Sequence, residues 1–208
     1  MKNTLLEEFI RDSIKESRYR NYDQEDDVPH GLNFFEVIKY LSSRFGKAKM
    51  ALTNSPLDLE RSYDPSGGFV NKPAGLWYGC GTAWLDWLER EGREPAPEEY
   101  QIWSLKIDMS KVKSITSQQN LQKFSYTNAD YSAYSGTGPV AVDWNRVAQK
   151  FSGIECCPYP VGEGLMIRYK FMWYAAMDVS SGCIWDTSAI TNSMLVAEKK
   201  EDGWEVYV

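Results

Sequence analysis

Histidine occurs once in this chain, at position 30, and no two cysteines form a Cys-x-x-Cys pair. The four cysteines stand at 80, 156, 157 and 183, so local spacing offers no zinc signature, and a Cys-His or Ser-His couple could be built only on His30. Cys156 and Cys157 are neighbours and cannot pair with each other without strain. No apolar run reaches bilayer length, and the opening Met1-Lys2-Asn3-Thr4-Leu5-Leu6-Glu7-Glu8 brings acids early, so neither a membrane span nor a secretory leader is expected. These absences predict a cytoplasmic protein with reduced thiols, no metal and no membrane partner. An excess of basic residues is also missing: 23 Lys and Arg face 29 Asp and Glu, a net charge of −6. That excludes a nonspecific nucleic-acid coat while leaving room for a local basic groove. No internal repeat and no low-complexity tract is present.

Aromatic residues, by contrast, abound: 8 Trp, 13 Tyr and 8 Phe in 208 residues. Such rings fill cores, and they also line sites for flat ligands. The length allows one sizeable domain with an appended helical segment, which we place at residues 1–46, followed by a domain over 47–208. Leu6, Phe9, Ile10 and Ile14 give the spacing of an amphipathic helix over 3–19. After an acidic linker, Asn33 caps a second helix whose apolar face is Phe34, Val37, Ile38, Leu41 and Phe45 and which Gly46 ends. Strands are expected at 50–53, 76–78, 100–108, 112–116, 153–157, 168–176 and 183–184, with a terminal hairpin around Asp202-Gly203. Asp143 opens a helix reaching Lys150, and the polar stretch 117–140 reads as a long loop. Many short strands with a few helices between them make the fold class α+β.

The densest signal is Lys72-Pro73-Ala74-Gly75-Leu76-Trp77-Tyr78-Gly79-Cys80-Gly81 followed by Trp84-Leu85-Asp86-Trp87-Leu88-Glu89: a turn, a bulky strand, a glycine-opened gap and a short helix. Glycines there let a ligand approach the backbone. This order resembles the second motif of the ADP-ribosyltransferase superfamily, in which an aromatic ring on such a strand lies against nicotinamide. Two more blocks are similar to a microbial and fungal branch of that superfamily. One runs from Asp143-Trp144-Asn145-Arg146-Val147 into Phe151-Ser152-Gly153-Ile154-Glu155-Cys156-Cys157-Pro158-Tyr159. The other runs from Trp173-Tyr174 through Asp178, Ser180-Ser181-Gly182-Cys183-Ile184-Trp185 to Asp186. The resemblance covers about residues 50 to 190.

The resemblance implies two packed antiparallel sheets split around an NAD cleft, and NAD as substrate without a metal. The first motif falls on Leu52-Thr53-Asn54-Ser55, where Thr53 and Asn54 would hydrogen-bond ribose hydroxyls or the carboxamide; the family's usual His or Arg is absent there. In the second motif Gly75, Trp77 and Tyr78 are the candidates, with Trp77 as the stacking ring, because neighbours on a strand face opposite sides. In the third motif Glu155 is the catalytic candidate, the lone carboxylate in an apolar run, placed to stabilise an oxocarbenium-like centre. Trp173, Tyr174, Ser180 and Ser181 would serve an acceptor or the structure. Asp178 and Asp186 offer a two-carboxylate glycosidase instead. The implied activity is mono-ADP-ribosyl transfer from NAD to a protein or nucleic acid, as in toxins of toxin–antitoxin or phage-defence systems, with an antitoxin contacting the N-terminal helices. An NAD glycohydrolase, or a noncatalytic module binding ADP-ribose, a nucleotide or a sugar, would use the same residues.

Overall fold

In the computed structural model the residues described are 31–68, 72–93, 100–131, 139–159, 170–175 and 177–207. The helix expected over 3–19 and His30 lie outside them.

Helix α1 (Phe34–Phe45) begins where the sequence places it. The Asn33 side chain accepts from the Glu36 N–H at 3.0 Å, and the Glu36 carboxylate accepts from the Asn33 N–H at 2.8 Å, a reciprocal cap. Its buried face is Phe34, Val37, Ile38 and Leu41. The strand-and-helix unit also forms as expected, with β2 at Leu76–Cys80 and α2 at Ala83–Arg90. Gly81 turns the chain between them at φ +62°, a backbone that favours glycine. The remaining strands are β1 (Lys49–Thr53), β3 (Gln101–Ile107), β4 (Val112–Ser114), β5 (Gly153–Cys156), β6 (Ser181–Ile184), β7 (Ile190–Lys200) and β8 (Gly203–Val206). Asp143 caps α4 (Trp144–Ala148), accepting from the Arg146 N–H at 3.0 Å.

Two expectations are corrected. The stretch 117–140 is not a loop throughout, because Gln118–Thr127 forms helix α3, capped by Ser117, whose hydroxyl accepts from the Asn120 N–H at 3.2 Å. Its buried residues are Leu121, Phe124 and Ser125, and the Tyr126 ring packs edge-on against Phe171, so tertiary packing rather than periodicity holds it. Within the strand expected at 168–176, the described residues carry a helical turn instead, α5 (Met172–Ala175). Phe171, Trp173 and Tyr174 are all buried, and a strand would turn the neighbours Trp173 and Tyr174 to opposite faces.

The eight strands form one sheet in the order β4-β5-β6-β2-β1-β3-β7-β8. All neighbours are antiparallel except β4 and β5, which run parallel. The fold class is thus α+β, as expected, but hydrogen bonding is continuous from β4 to β8, where the resemblance implied two separate sheets. The helices gather on one face. There α1 and Leu85 of α2 cover Met50, Ile102, Val196 and Trp204, while α3, α4 and α5 cover Ile154, Cys156 and Cys183. The opposite face carries Ala51, Leu76, Tyr78, Leu105 and Ile184, under Leu57 and Tyr63 from the loop after β1. Among the described residues no helix is long and apolar enough to cross a membrane.

Candidate functional site

The helix-free face is where the third-motif carboxylate points. Glu155 sits mid-strand on β5, opposite Gly182 of β6, and Gly182 in turn lies opposite Tyr78 of β2. Residues directly opposite share a face, so Glu155 and Tyr78 flank a glycine. The absence of a side chain at 182 admits the Tyr78 ring: a Cβ there would overlap the ring carbons and the phenol oxygen. Through this gap the Tyr78 hydroxyl donates to Glu155 Oε2 at 2.8 Å. The Lys49 ammonium, from the start of β1, forms an ion pair with the same oxygen and lies 5.3 Å from the centre of the Tyr78 ring. Lys49 and Glu155 are 106 residues apart in sequence, and sequence reasoning did not find Lys49. The one signal for it was a basic residue at the start of the strand on whose far end we expected the first motif.

Gly182→Ala is therefore expected to destabilise the fold by about 1–3 kcal/mol, through overpacking against Tyr78. Gly67→Ala is the control, since a Cβ there meets nothing within 4 Å, and should shift stability by about 0.5 kcal/mol or less. Thermal unfolding of the pair checks both, and equal melting temperatures would contradict the packing described.

Glu155 is only 6% exposed, and Tyr78 is fully buried. Burial first, then the adjacent Glu155 charge and hydrogen bond, push the Tyr78 phenol far above its usual range, so it remains a donor. Both bonds to Glu155 converge on Oε2, and among the described residues Oε1 accepts none. A charged carboxylate thus has one oxygen fixed by a cation and a phenol and the other still available, beside the partly exposed Lys49, Cys80 and Cys157.

Cys80 and Cys157 form a disulfide that ties the end of β2 to the end of β5 across the start of β6. The expectation of reduced thiols fails for this pair, which local spacing could not reveal because 77 residues separate the partners. Cys156 and Cys183 are free and buried, and burial raises both thiols well above their ordinary range.

The other expected residues fall elsewhere. Trp77 faces the helix-bearing side, opposite Cys183, with the Lys72 ammonium 5.2 Å from its ring centre, so the ring that meets Glu155 is Tyr78 and not Trp77. Gly75 permits close strand contact: a Cβ there would stand 2.6 Å from the Cys183 sulfur. Thr53 ends β1, four residues along the strand from Lys49 and roughly 13 Å away, and its hydroxyl donates to the Ser55 carbonyl at 2.7 Å. Asn54 is exposed in the bend that follows. Trp173 is core, its Nε1 donating to the Ser125 hydroxyl at 3.0 Å, and Tyr174 stacks on Tyr159 with centroids 4.7 Å apart. The Ser180 hydroxyl accepts from the Tyr159 N–H at 2.8 Å, and the Ser181 hydroxyl donates to the Val179 carbonyl at 3.0 Å. All four make contacts within the fold. Asp178 and Asp186 are both exposed. Asp186 belongs to its own turn: against partial burial, hydrogen bonds from Ser152 and Ser188 hold its carboxyl below the usual range.

One further residue emerges on the Glu155 face. Trp103 of β3 lies opposite Ala51, and its indole Nε1–H is buried with no hydrogen-bond partner among the described residues. A separate surface cavity of about 440 Å³, lined by Asn33, Phe35, Glu36, Ile38, Lys39 and Glu89, lies at α1 and the end of α2 and contains none of the expected site residues. No protein-family model, curated protein or solved structure matches this chain.

Proposed function

We propose that this protein cleaves the nicotinamide–ribose bond of NAD and transfers ADP-ribose to a macromolecular acceptor, with Glu155 as the catalytic residue. The observation that carries the reading is the buried Glu155 carboxylate, anchored through Oε2 by Lys49 and Tyr78, with no partner on Oε1 among the described residues. Burying a charge is costly unless a function or a partner requires it, and the described partners occupy only one of the two oxygens.

When the C1′–N bond breaks, its electron pair leaves with nicotinamide, which departs as a neutral base, and positive charge grows on the ribose. A fixed carboxylate stabilises that charge more in the transition state than in the ground state. Oε1 accepts a hydrogen bond from the ribose 2′-hydroxyl. The acceptor nucleophile then bonds to C1′ and gives up its proton to solvent. Lys49 balances the Glu155 charge and holds the carboxylate in one orientation. The net charge of −6 favours a protein over a nucleic-acid acceptor.

Trp77→Phe, on the face away from Glu155, should leave KM for NAD unchanged, and a raised KM would return the stacking role to Trp77.

The deciding experiment incubates the purified protein with NAD and measures free nicotinamide, with and without cell extract, alongside mass analysis of labelled acceptors. Nicotinamide release with ADP-ribose on a macromolecule is expected. Release with free ADP-ribose alone would make the protein a glycohydrolase, and binding without release would make it a noncatalytic module.

A further inference from the structure

The four cysteines divide by exposure. Cys156 and Cys183 are sealed in the core, whereas Cys80 and Cys157 are partly exposed and border Glu155. The two sulfurs and a Glu155 oxygen all lie within 4.8 Å of one another. The Cα atoms of Cys80 and Cys157 stand 6.4 Å apart, near the long end of the range a disulfide accepts. Two thiolates on one tetrahedral ion need their sulfurs roughly 3.8 Å apart, given metal–sulfur bonds of about 2.3 Å. Side-chain rotation from these Cα positions reaches either arrangement.

We propose that reduction of the Cys80–Cys157 disulfide creates a site for a thiophilic divalent cation of the zinc class, with Cys80 Sγ, Cys157 Sγ and Glu155 Oε1 as ligands, and that the bound ion closes the Glu155 site to NAD. The closing of the site rests on the NAD reading above; the cation site does not. A thiol reductant supplies two electrons and two protons to the S–S bond and is itself oxidised to a disulfide. Each cysteine thiol then releases its proton to solvent as its sulfur bonds the ion.

Three features suit the ion. Glu155 Oε1 is the oxygen that Lys49 and Tyr78 leave open, so coordination does not break the existing pair. Two thiolates and a carboxylate sum to three negative charges, which a divalent ion and the adjacent Lys49 ammonium neutralise. Two sulfur ligands select zinc-like ions over magnesium or calcium, and three protein ligands leave a fourth position for water. Expecting no metal from local spacing overlooked this site, because its ligands come from β2 and from the end of β5 and meet only in the folded sheet.

The test uses the full chain, reduced with a phosphine under anaerobic conditions and titrated with Co²⁺. The expected result is one equivalent bound, with thiolate-to-cobalt charge-transfer bands and the visible absorption of tetrahedral Co²⁺, displaced by Zn²⁺. The oxidised protein should show none of this. Cys80→Ser and Cys157→Ser, each checked for folding by circular dichroism, should lose the charge-transfer bands, and Glu155→Gln should weaken binding at least tenfold. Absence of the bands in folded, reduced wild type, or their persistence in folded Cys80→Ser, overturns the site. Nicotinamide release is measured in parallel. Cobalt binding with undiminished turnover overturns the closing of the site. Cobalt binding with no turnover in any redox state sinks the NAD reading and leaves the cation site established by its spectrum.

Discussion

Glu155→Gln is expected to lower NAD turnover on the order of 10²–10³-fold with little change in KM. The substitution keeps the shape of the side chain and an oxygen to accept the Tyr78 hydroxyl, whose bond to Oε2 is 2.8 Å. What disappears is the negative charge. Its loss matters little to NAD in the ground state and much to a ribose that is becoming a cation, which is why the effect should fall on turnover. The variant also leaves the Lys49 ammonium without its carboxylate, but the Lys49 side chain is 21% exposed and can recover water. The protein should therefore stay folded at assay temperature, and circular dichroism alongside the nicotinamide assay separates lost chemistry from lost structure. Wild-type turnover in folded Glu155→Gln would remove the carboxylate from the mechanism and with it the ADP-ribosyltransferase reading.

How far the sequence could be read depended on whether the deciding interaction was local. Asn33 with Glu36 and the apolar set Phe34, Val37, Ile38 and Leu41 are all within one helix, and α1 forms where they place it. Pro73, Gly75 and Gly81 punctuate β2 and α2 within a short window, and that unit was equally legible. Glu155 stood out because a carboxylate inside an apolar strand demands a partner. The partner itself was not legible. Lys49 reaches Glu155 only because β1, β2, β6 and β5 are neighbours in the sheet, and nothing near residue 49 announces that order. The same holds for the Cys80–Cys157 bridge over β6.

The face of β2 that meets Glu155 was a matter of register. Alternation separates Trp77 from Tyr78 but does not say which of them looks toward the carboxylate, and the opposition of Glu155, Gly182 and Tyr78 decides for Tyr78. Helices α3 and α5 were missed for a related reason. The first offers only Leu121 and Phe124 as an apolar pair, and the second packs consecutive aromatics that resemble a buried strand until the core receives them all. Tertiary burial overrode the local signal in both.

Lys49→Met tests whether the ion pair holds the site together or merely decorates it. Methionine keeps the length and apolar stem of lysine but removes the charge, leaving Glu155 as a buried carboxylate with only the Tyr78 hydroxyl to meet it. Breaking one side of a buried pair costs about 3–5 kcal/mol, and the 21% exposure of the Lys49 side chain places this case at the low end, near ~3 kcal/mol. For a chain of this length that is a fall in melting temperature of roughly 6–12 °C. The penalty is that of an uncompensated charge, so removing the second charge should relieve it. Lys49→Met with Glu155→Gln is expected to melt above Lys49→Met alone, because a neutral amide is far cheaper to bury than a carboxylate. If Lys49→Met melts with the wild type, the ammonium is a surface charge that contributes nothing to Glu155. If the double variant is no more stable than Lys49→Met, the lysine acts through its packing rather than its charge. The expected order, wild type above the double variant above Lys49→Met, would establish Lys49 as the counter-charge that lets a carboxylate stand buried on a strand of this sheet.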